Sequence, residues 1–290
     1  MELRKLIQEE HIKTRKLWEE IFTEDTPEFL DYYYSVKTKD NEIYVIEEDD
    51  KIVSMLHLNP YQMRIGKQVY HTHYIVAVAT DENYRKRGYM AALLKHVVRV
   101  MTDRGEPFTF LMPAAEAIYK PFGFEFIYEQ KRGKIKGRRN LDKSLEVVEA
   151  TEENCGEIAD FANDFLKEYD VVTWRDVSYY KTLLAEQASE NGGILLAKQN
   201  GQLEGVFCYA ISEAEDGENA SDKHFEIREP LCRQKEDLEH IIWFLTGNEN
   251  ESVFCTGYGE ETRPMIMAKV LHPELTGDLK TTNVFLNEVV

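Results

Sequence analysis

The sequence predicts an α/β (α+β) protein of two domains, each a mixed, mostly antiparallel sheet flanked by helices. Three observations lead there. A chain of 290 residues is long enough for about two domains at ~150 residues each. Its 43% hydrophobic and 11% aromatic residues are spread along the whole length, so both parts can bury a core. Strand-like and helix-like periods alternate through the first half, and part of that order returns after a shift of about 150 residues.

Taken in order, Leu3 to Ile7 reads as a strand, and Glu9 to Phe22 and Pro27 to Val36 as helices. Ile43 to Ile46 and Ile52 to Leu58 flank the acidic turn Glu47 to Lys51 and pair as a hairpin. Tyr70 to Thr80 is apolar at consecutive positions, the mark of a strand covered on both faces. Met90, Leu93, Leu94, Val97, Val98 and Met101 then fall at steps of three and four, one apolar stripe of a helix. Phe108 to Met112, stopped by Pro113, and Phe124 to Tyr128 are further strands.

In the second half, Leu145 to Ala150 and Thr151 to Leu166 mirror the opening strand and helix. Ile194 to Ala197, the Asn200-Gly201 turn and Leu203 to Ile211 mirror the hairpin, with Asn-Gly the strongest two-residue turn signal. His224 to Ile227 leads into a helix with Leu238, Ile241, Ile242 and Leu245 on one face. The basic, glycine-interrupted stretch Lys131 to Arg139 marks the expected boundary, giving domains at 1–140 and 141–262 and a tail at 263–290.

Charge divides the same way. Residues 1–144 carry 24 basic and 23 acidic side chains, and residues 145–290 carry 11 and 30, for the net −18 of the chain. A nearly neutral first half tolerates a polyanionic ligand, whereas the acidic second half repels nucleic acid and attracts cations. No run of about 18 apolar residues predicts a membrane span, and the charged Met1 to Glu10 is no secretory signal, so a cytoplasmic location is expected. Cys155, Cys208, Cys232 and Cys255 are isolated and form no metal-ligand spacing, so reduced core thiols and no metal are expected.

The most specific segment is Val78 to Met90, VATDENYRKRGYM. A strand feeding a helix through a short loop aims free backbone N–H groups and the positive end of the helix dipole at one point, where a pyrophosphate fits. Gly88 lets the backbone approach a phosphate without a Cβ in the way, and Arg85, Lys86 and Arg87 can pair with its oxygens.

This segment resembles motif A of the GCN5-related N-acetyltransferases (GNAT), Q/R-x-x-G-x-G/A, here Arg85-Lys86-Arg87-Gly88-Tyr89-Met90. Ile118 to Phe124, IYKPFGF, is similar to the Y-x-x-x-G-F element that closes the same fold. The tandem arrangement resembles the Eis (enhanced intracellular survival) type, two GNAT-like folds of which the second has lost its cofactor motif, followed by a sterol-carrier-like domain. Arg233 to Leu238, RQKEDL, lacks any glycine at the equivalent place, and residues 263–290 look like only the beginning of that third domain.

The resemblance implies acetyl-CoA as co-substrate and an amine acceptor, joined in a ternary complex by direct transfer. The cofactor contacts then fall on Ala77, Val78 and Ala79 along the strand end and on Arg85 to Met90 in the loop and helix start, with a backbone N–H near Val78 as oxyanion donor. The pantetheine arm is expected to add like a strand where Tyr70 to Thr80 and Phe108 to Met112 splay apart. Tyr119 matches the general acid of Eis-type enzymes, and a phenol of pKa ~10 can protonate the departing thiolate. An amine acceptor arrives protonated, so a base is needed. His57, His71 and His73 lie on pocket-facing strands, with His73 the residue chosen, and the terminal carboxylate of Val290 is the rival that the resemblance implies.

Charge favours a small-molecule or peptide amine, cationic in character, and the Eis-type resemblance makes homo-oligomers an expectation. A CoA-binding sensor without catalysis is the alternative reading. A nucleotide-binding protein ranks last, because the chain lacks GxxxxGK[ST].

Overall fold

A computed structural model describes residues 2–139, 145–213, 223–249 and 251–287. The strands are β1 (Glu2–Lys5), β2 (Glu42–Glu48), β3 (Lys51–Ile65), β4 (Gln68–Thr80), β5 (Phe108–Leu111), β6 (Glu125–Lys136), β7 (Leu145–Glu149), β8 (Val171–Thr173), β9 (Gly193–Gln199), β10 (Gln202–Glu213), β11 (Lys223–Cys232), β12 (Ser252–Thr256), β13 (Glu261–Val270) and β14 (Val284–Phe285). The helices are α1 (Arg15–Ile21), α2 (Pro27–Ser35), α3 (Tyr89–Asp103), α4 (Glu116–Tyr119), α5 (Cys155–Phe165), α6 (Val177–Ser189), α7 (Lys235–Thr246) and α8 (Pro273–Thr276).

The chain divides into two compact units. The first comprises Met1–Tyr128, Tyr169–Trp174 and Pro264–Val290, and the second Glu129–Glu168 and Arg175–Arg263. In the first, strands run in the order β1-β2-β3-β4-β5-β13, antiparallel except for the β4–β5 pair. A short extension adds β8 beside the end of β3 and β14 beside β8. The apolar stripe of α3 explains its placement: Leu93, Leu94, Val97 and Met101 are buried against Tyr44, Leu56, Leu58 and Ile75 of the sheet. In the second unit the order is β6-β12-β11-β10-β9-β7, with only β11–β12 parallel. Its hairpin turn has Asn200 and Gly201 at φ 52° and 79°, the left-handed pair a type I′ turn requires.

In two places this division departs from the expected bounds. The boundary lies near Tyr128 rather than 140, because Lys131 to Lys136 belong to β6 and pair with β12. Its glycines serve close packing rather than a linker: a Cβ on Gly137 would meet Trp243 N at 3.0 Å, and one on Gly259 would meet the Arg132 carbonyl oxygen at 2.2 Å across from Gly133. The expected tail from 264 onward packs, in its described residues, with the first unit. Met267 to Val270 pair with Leu111 to Phe108, and Val284 pairs with Val171, so this segment completes the first unit.

Candidate functional site

The loop from β4 to α3 is built to be rigid. Asp81 accepts from Asn83 N at 2.9 Å and pairs with Lys51, which holds its carboxyl below the usual range. Arg87 stacks over the Tyr84 ring at 4.6 Å and donates to the Asn83 carbonyl at 3.1 Å and to Glu48 at 3.4 Å, while Tyr89 donates to the same Glu48. All three basic residues are exposed: Arg87 braces the loop, Arg85 donates to the Thr80 carbonyl at 3.4 Å, and Lys86 has no hydrogen bond or ion pair among the described residues.

Lys86 and Gly88 adopt left-handed φ values of 64° and 84°. Nothing lies within 4 Å of where a Gly88 Cβ would stand, so the position requires glycine for its backbone and leaves open space beside it. The first helical bond runs from Ala92 N to the Gly88 carbonyl at 2.9 Å. The amides of Tyr89, Met90 and Ala91 therefore lack helical partners, and no acidic side chain stands in the first turn. Met90 packs onto the core with Val98 and Ala92.

Just before the loop, β4 carries a bulge. The ladder with β3 jumps from His57↔Val76 to Met55↔Ala79, and Ala77 between them has φ 51°. Ala77 and Val78 thus face the single residue Leu56, and a bulge of this kind frees a backbone N–H from the ladder. On the other edge, β4 and β5 pair only at Tyr74↔Phe110. The Thr109 hydroxyl bonds the His73 carbonyl at 2.8 Å and Thr72 bonds the Phe108 carbonyl, which clamps the base of a fork. Above it no further β4–β5 pairing occurs among the described residues.

Tyr119 closes α4, is 7% exposed, and packs edge-on to Phe124 at 6.0 Å. Burial pushes its phenol up to about 12. Its hydroxyl makes no hydrogen bond among the described residues and is not among the sealed polar atoms.

The three histidines separate. His57 is fully buried beside Tyr33, whose hydroxyl lies 3.2 Å from Nδ1, and burial lowers its pKa to about 3; it is structural. His73, 4% exposed, places Nδ1 at 2.9 and 3.0 Å from the two oxygens of buried Glu106. His71 is exposed, its ring 5.2 Å from that of His73. His73 stands four residues before Ala77, about 13 Å along the strand. Glu106 was invisible to sequence reasoning, since only the fold brings a residue beyond α3 back to β4. Ala77 was equally hidden, because no glycine signals its conformation. Val290 lies outside the described residues. Among those described, no group of three or more His, Cys, Asp or Glu could hold a metal, and no helix is long and apolar enough to cross a membrane.

The second unit repeats the scaffold without the site. The β10–β11 ladder jumps from Cys208↔Arg228 to Val206↔Leu231, with Glu229 at φ 47°. There the connection to the following helix is only 233–234, against 81–88 in the first unit, and Glu236 and Asp237 occupy the first turn of α7. β11 also stays paired with β12 through Glu226, Ile227 and Arg228, up to the bulge itself. The long glycine-containing loop has no counterpart there, the helix start carries acid, and the strand edge stays paired.

A family model described as an acetyltransferase (GNAT) domain matches residues 2–127. The fold is similar to that of a conserved protein from Enterococcus faecalis V583, with 18% identity, TM-score 0.73, and 93% of this chain and 72% of that chain covered. It is similar to Eis1 from Mycobacterium abscessus, with 10% identity, TM-score 0.65, and 93% and 74% covered. It is also similar to N-myristoyltransferase from Saccharomyces cerevisiae, solved with myristoyl-CoA, with 7% identity, TM-score 0.63, and 98% and 89% covered. Among curated proteins none matches the chain. The loop, bulge and fork thus lie within residues 2–127, the stretch that the acetyltransferase (GNAT) domain model matches.

Proposed function

We propose that this protein transfers an acetyl group from acetyl-CoA to an amine, with one active site per chain in the first unit. The observation that carries the reading is the run from Ala77 to Ala91: a bulged strand edge, a left-handed glycine and an unopposed helix start in series. A diphosphate sits on the amides from Gly88 to Ala91, with Arg85 and Lys86 alongside. The pantetheine arm pairs along β4 above Tyr74, in the fork that β5 leaves open. The thioester carbonyl then meets the N–H released at the bulge, which stabilises the oxyanion as the amine attacks.

Collapse of the tetrahedral intermediate breaks the C–S bond, and Tyr119 supplies a proton to the thiolate. A phenol held at about 12 is fully protonated at neutral pH, so it acts as acid and never as base. Proton removal from the amine falls to His73, directly or through one water; the Val290 carboxylate is its rival. The myristoyl-CoA bound by the yeast relative supports the class of donor, and the acetyl length is this reading's own. Titration calorimetry with acetyl-CoA tests it: heat with one site per chain is expected, and no heat overturns the proposal. The acidic 145–290 half favours cationic acceptors, so KM for such an amine should rise with salt.

A further inference from the structure

A cleft of about 560 Å³ opens beside the C-terminal end of α3, lined by Asp40, Glu42, Tyr70, His71, His73, Arg104 and Glu106 among others. Its floor is a buried pair, His73 and Glu106, at 6% and 4% side-chain exposure. A carboxylate can only accept, so the 2.9 Å contact places the proton of the neutral ring on Nδ1. The lone pair is then on Nε2, which has no partner among the described residues and belongs to a ring lining the cleft.

The other charges differ in how far they are already committed. Glu42 binds Lys5 at 2.6 Å and Arg104 at 3.0 Å, and Arg104 also lies 3.9 Å from Glu106. Asp40 is exposed and has no ion pair or hydrogen bond among the described residues. The cleft therefore offers two acceptors for cationic nitrogen, the Asp40 carboxylate at its rim and the His73 lone pair at its floor, and no uncommitted cation.

We infer that this cleft seats a short aliphatic diamine as acceptor, with Glu106 the positioning residue that holds His73 Nε2 toward the nitrogen to be acetylated. The inference rests on the acetyltransferase reading. One ammonium stays on Asp40. The other gives its proton to Nε2, and the imidazolium is balanced by Glu106 on the far side of the ring. The freed nitrogen lone pair forms the C–N bond as the C–S bond breaks, Tyr119 protonates the leaving thiolate, and solvent takes the proton from His73 and restores that of Tyr119. An acceptor with a carboxylate in place of its second amine meets Asp40 or Glu106 and is repelled.

The test uses the whole chain and three four-carbon probes: 1,4-diaminobutane, n-butylamine and 4-aminobutyrate, followed by thiol release from acetyl-CoA. Turnover per KM should fall at least about tenfold at each step in that order. Asp40→Asn should erase the preference for the diamine over butylamine by lowering turnover per KM on the diamine. Glu106→Gln, isosteric and able to stabilise the wrong tautomer, should lower kcat at least about tenfold without changing acetyl-CoA affinity, and Glu106→Asp should recover part of the loss. The seat is overturned if Glu106→Gln stays within twofold of the parent while acetyl-CoA binds both, if 4-aminobutyrate is used as well as the diamine, or if only amines outside this set are acetylated. Loss of acetyl-CoA binding in the parent protein would instead remove the acetyltransferase reading itself.

Discussion

Ala77 and Glu229 hold the same place in two copies of one hairpin. Each is the left-handed residue of a bulge in the strand that precedes an apolar-striped helix, at φ 51° and 47°. In the first copy a small side chain leaves the strand edge open. In the second a carboxylate stands there and pairs with Arg175, itself 1% exposed. The bulge is thus a property of the scaffold, and the side chain upon it decides whether a ligand can use it.

That contrast predicts one CoA per chain. Gly88→Val should abolish all binding heat, not half of it, because the second unit has no phosphate loop to share the load. A residual site of comparable affinity in the variant would show that 233–234 serves where 81–88 has failed.

Tyr119→Phe removes only a hydroxyl that bonds no group among the described residues, so acetyl-CoA affinity and the melting temperature should hold while kcat falls by about 100-fold or more. A fall in affinity equal to the fall in kcat would assign the residue to packing with Phe124.

Alkali should unfold the protein early. A tyrosine whose folded pKa is raised above its ordinary value of 10 to about 12 contributes stability that is complete below pH 10 and lost as the pH climbs toward 12. Tyr33, Tyr34 and Tyr180 are raised as well, all chiefly by burial. Urea midpoints should therefore drop steeply above pH 10, and Tyr119→Phe should soften that drop.

Much of this was legible from side chains alone. Leu93, Leu94, Val97 and Met101 announced a helix and the face it buries, and the run of Tyr74 to Ala79 announced a central strand, because period and apolarity are local facts. Gly88 announced the loop. Three things were not local. Residues 169–174 return to the first unit as β8, beside the end of β3, and nothing in VVT names that partner. Glu106 meets His73 only because α3 reverses the chain. The basic stretch at 131–139 reads as a boundary since its composition is polar and glycine-interrupted, yet a strand needs only alternate positions buried, and Gln130 and Gly137 already sit against the packed interior.

Acid should act through His57. Burial lowers its pKa from 6.5 to about 3, so the stability it contributes as a neutral ring is present above pH 6.5 and lost as the pH falls toward 3. Denaturant midpoints at pH 7, 5 and 4 should decline more steeply for the parent than for His57→Gln, which cannot charge. Equal slopes would place the acid-sensitive group elsewhere.

The loop makes its own stability prediction, since it holds two left-handed residues of which only one is glycine. Lys86→Gly relieves a φ of 64° and should stabilise the fold by up to about 1 kcal/mol, while the lost charge weakens acetyl-CoA binding only modestly. Gly88→Ala does the reverse at φ 84°: it adds strain of about 1 kcal/mol and puts a methyl group into the space reserved for the diphosphate, so binding falls by more than stability does. Thermal melts read the first effect and calorimetry the second. If both substitutions moved stability and affinity together, the loop would be a plain helix start, and the open volume beside Gly88 would have no ligand to explain it.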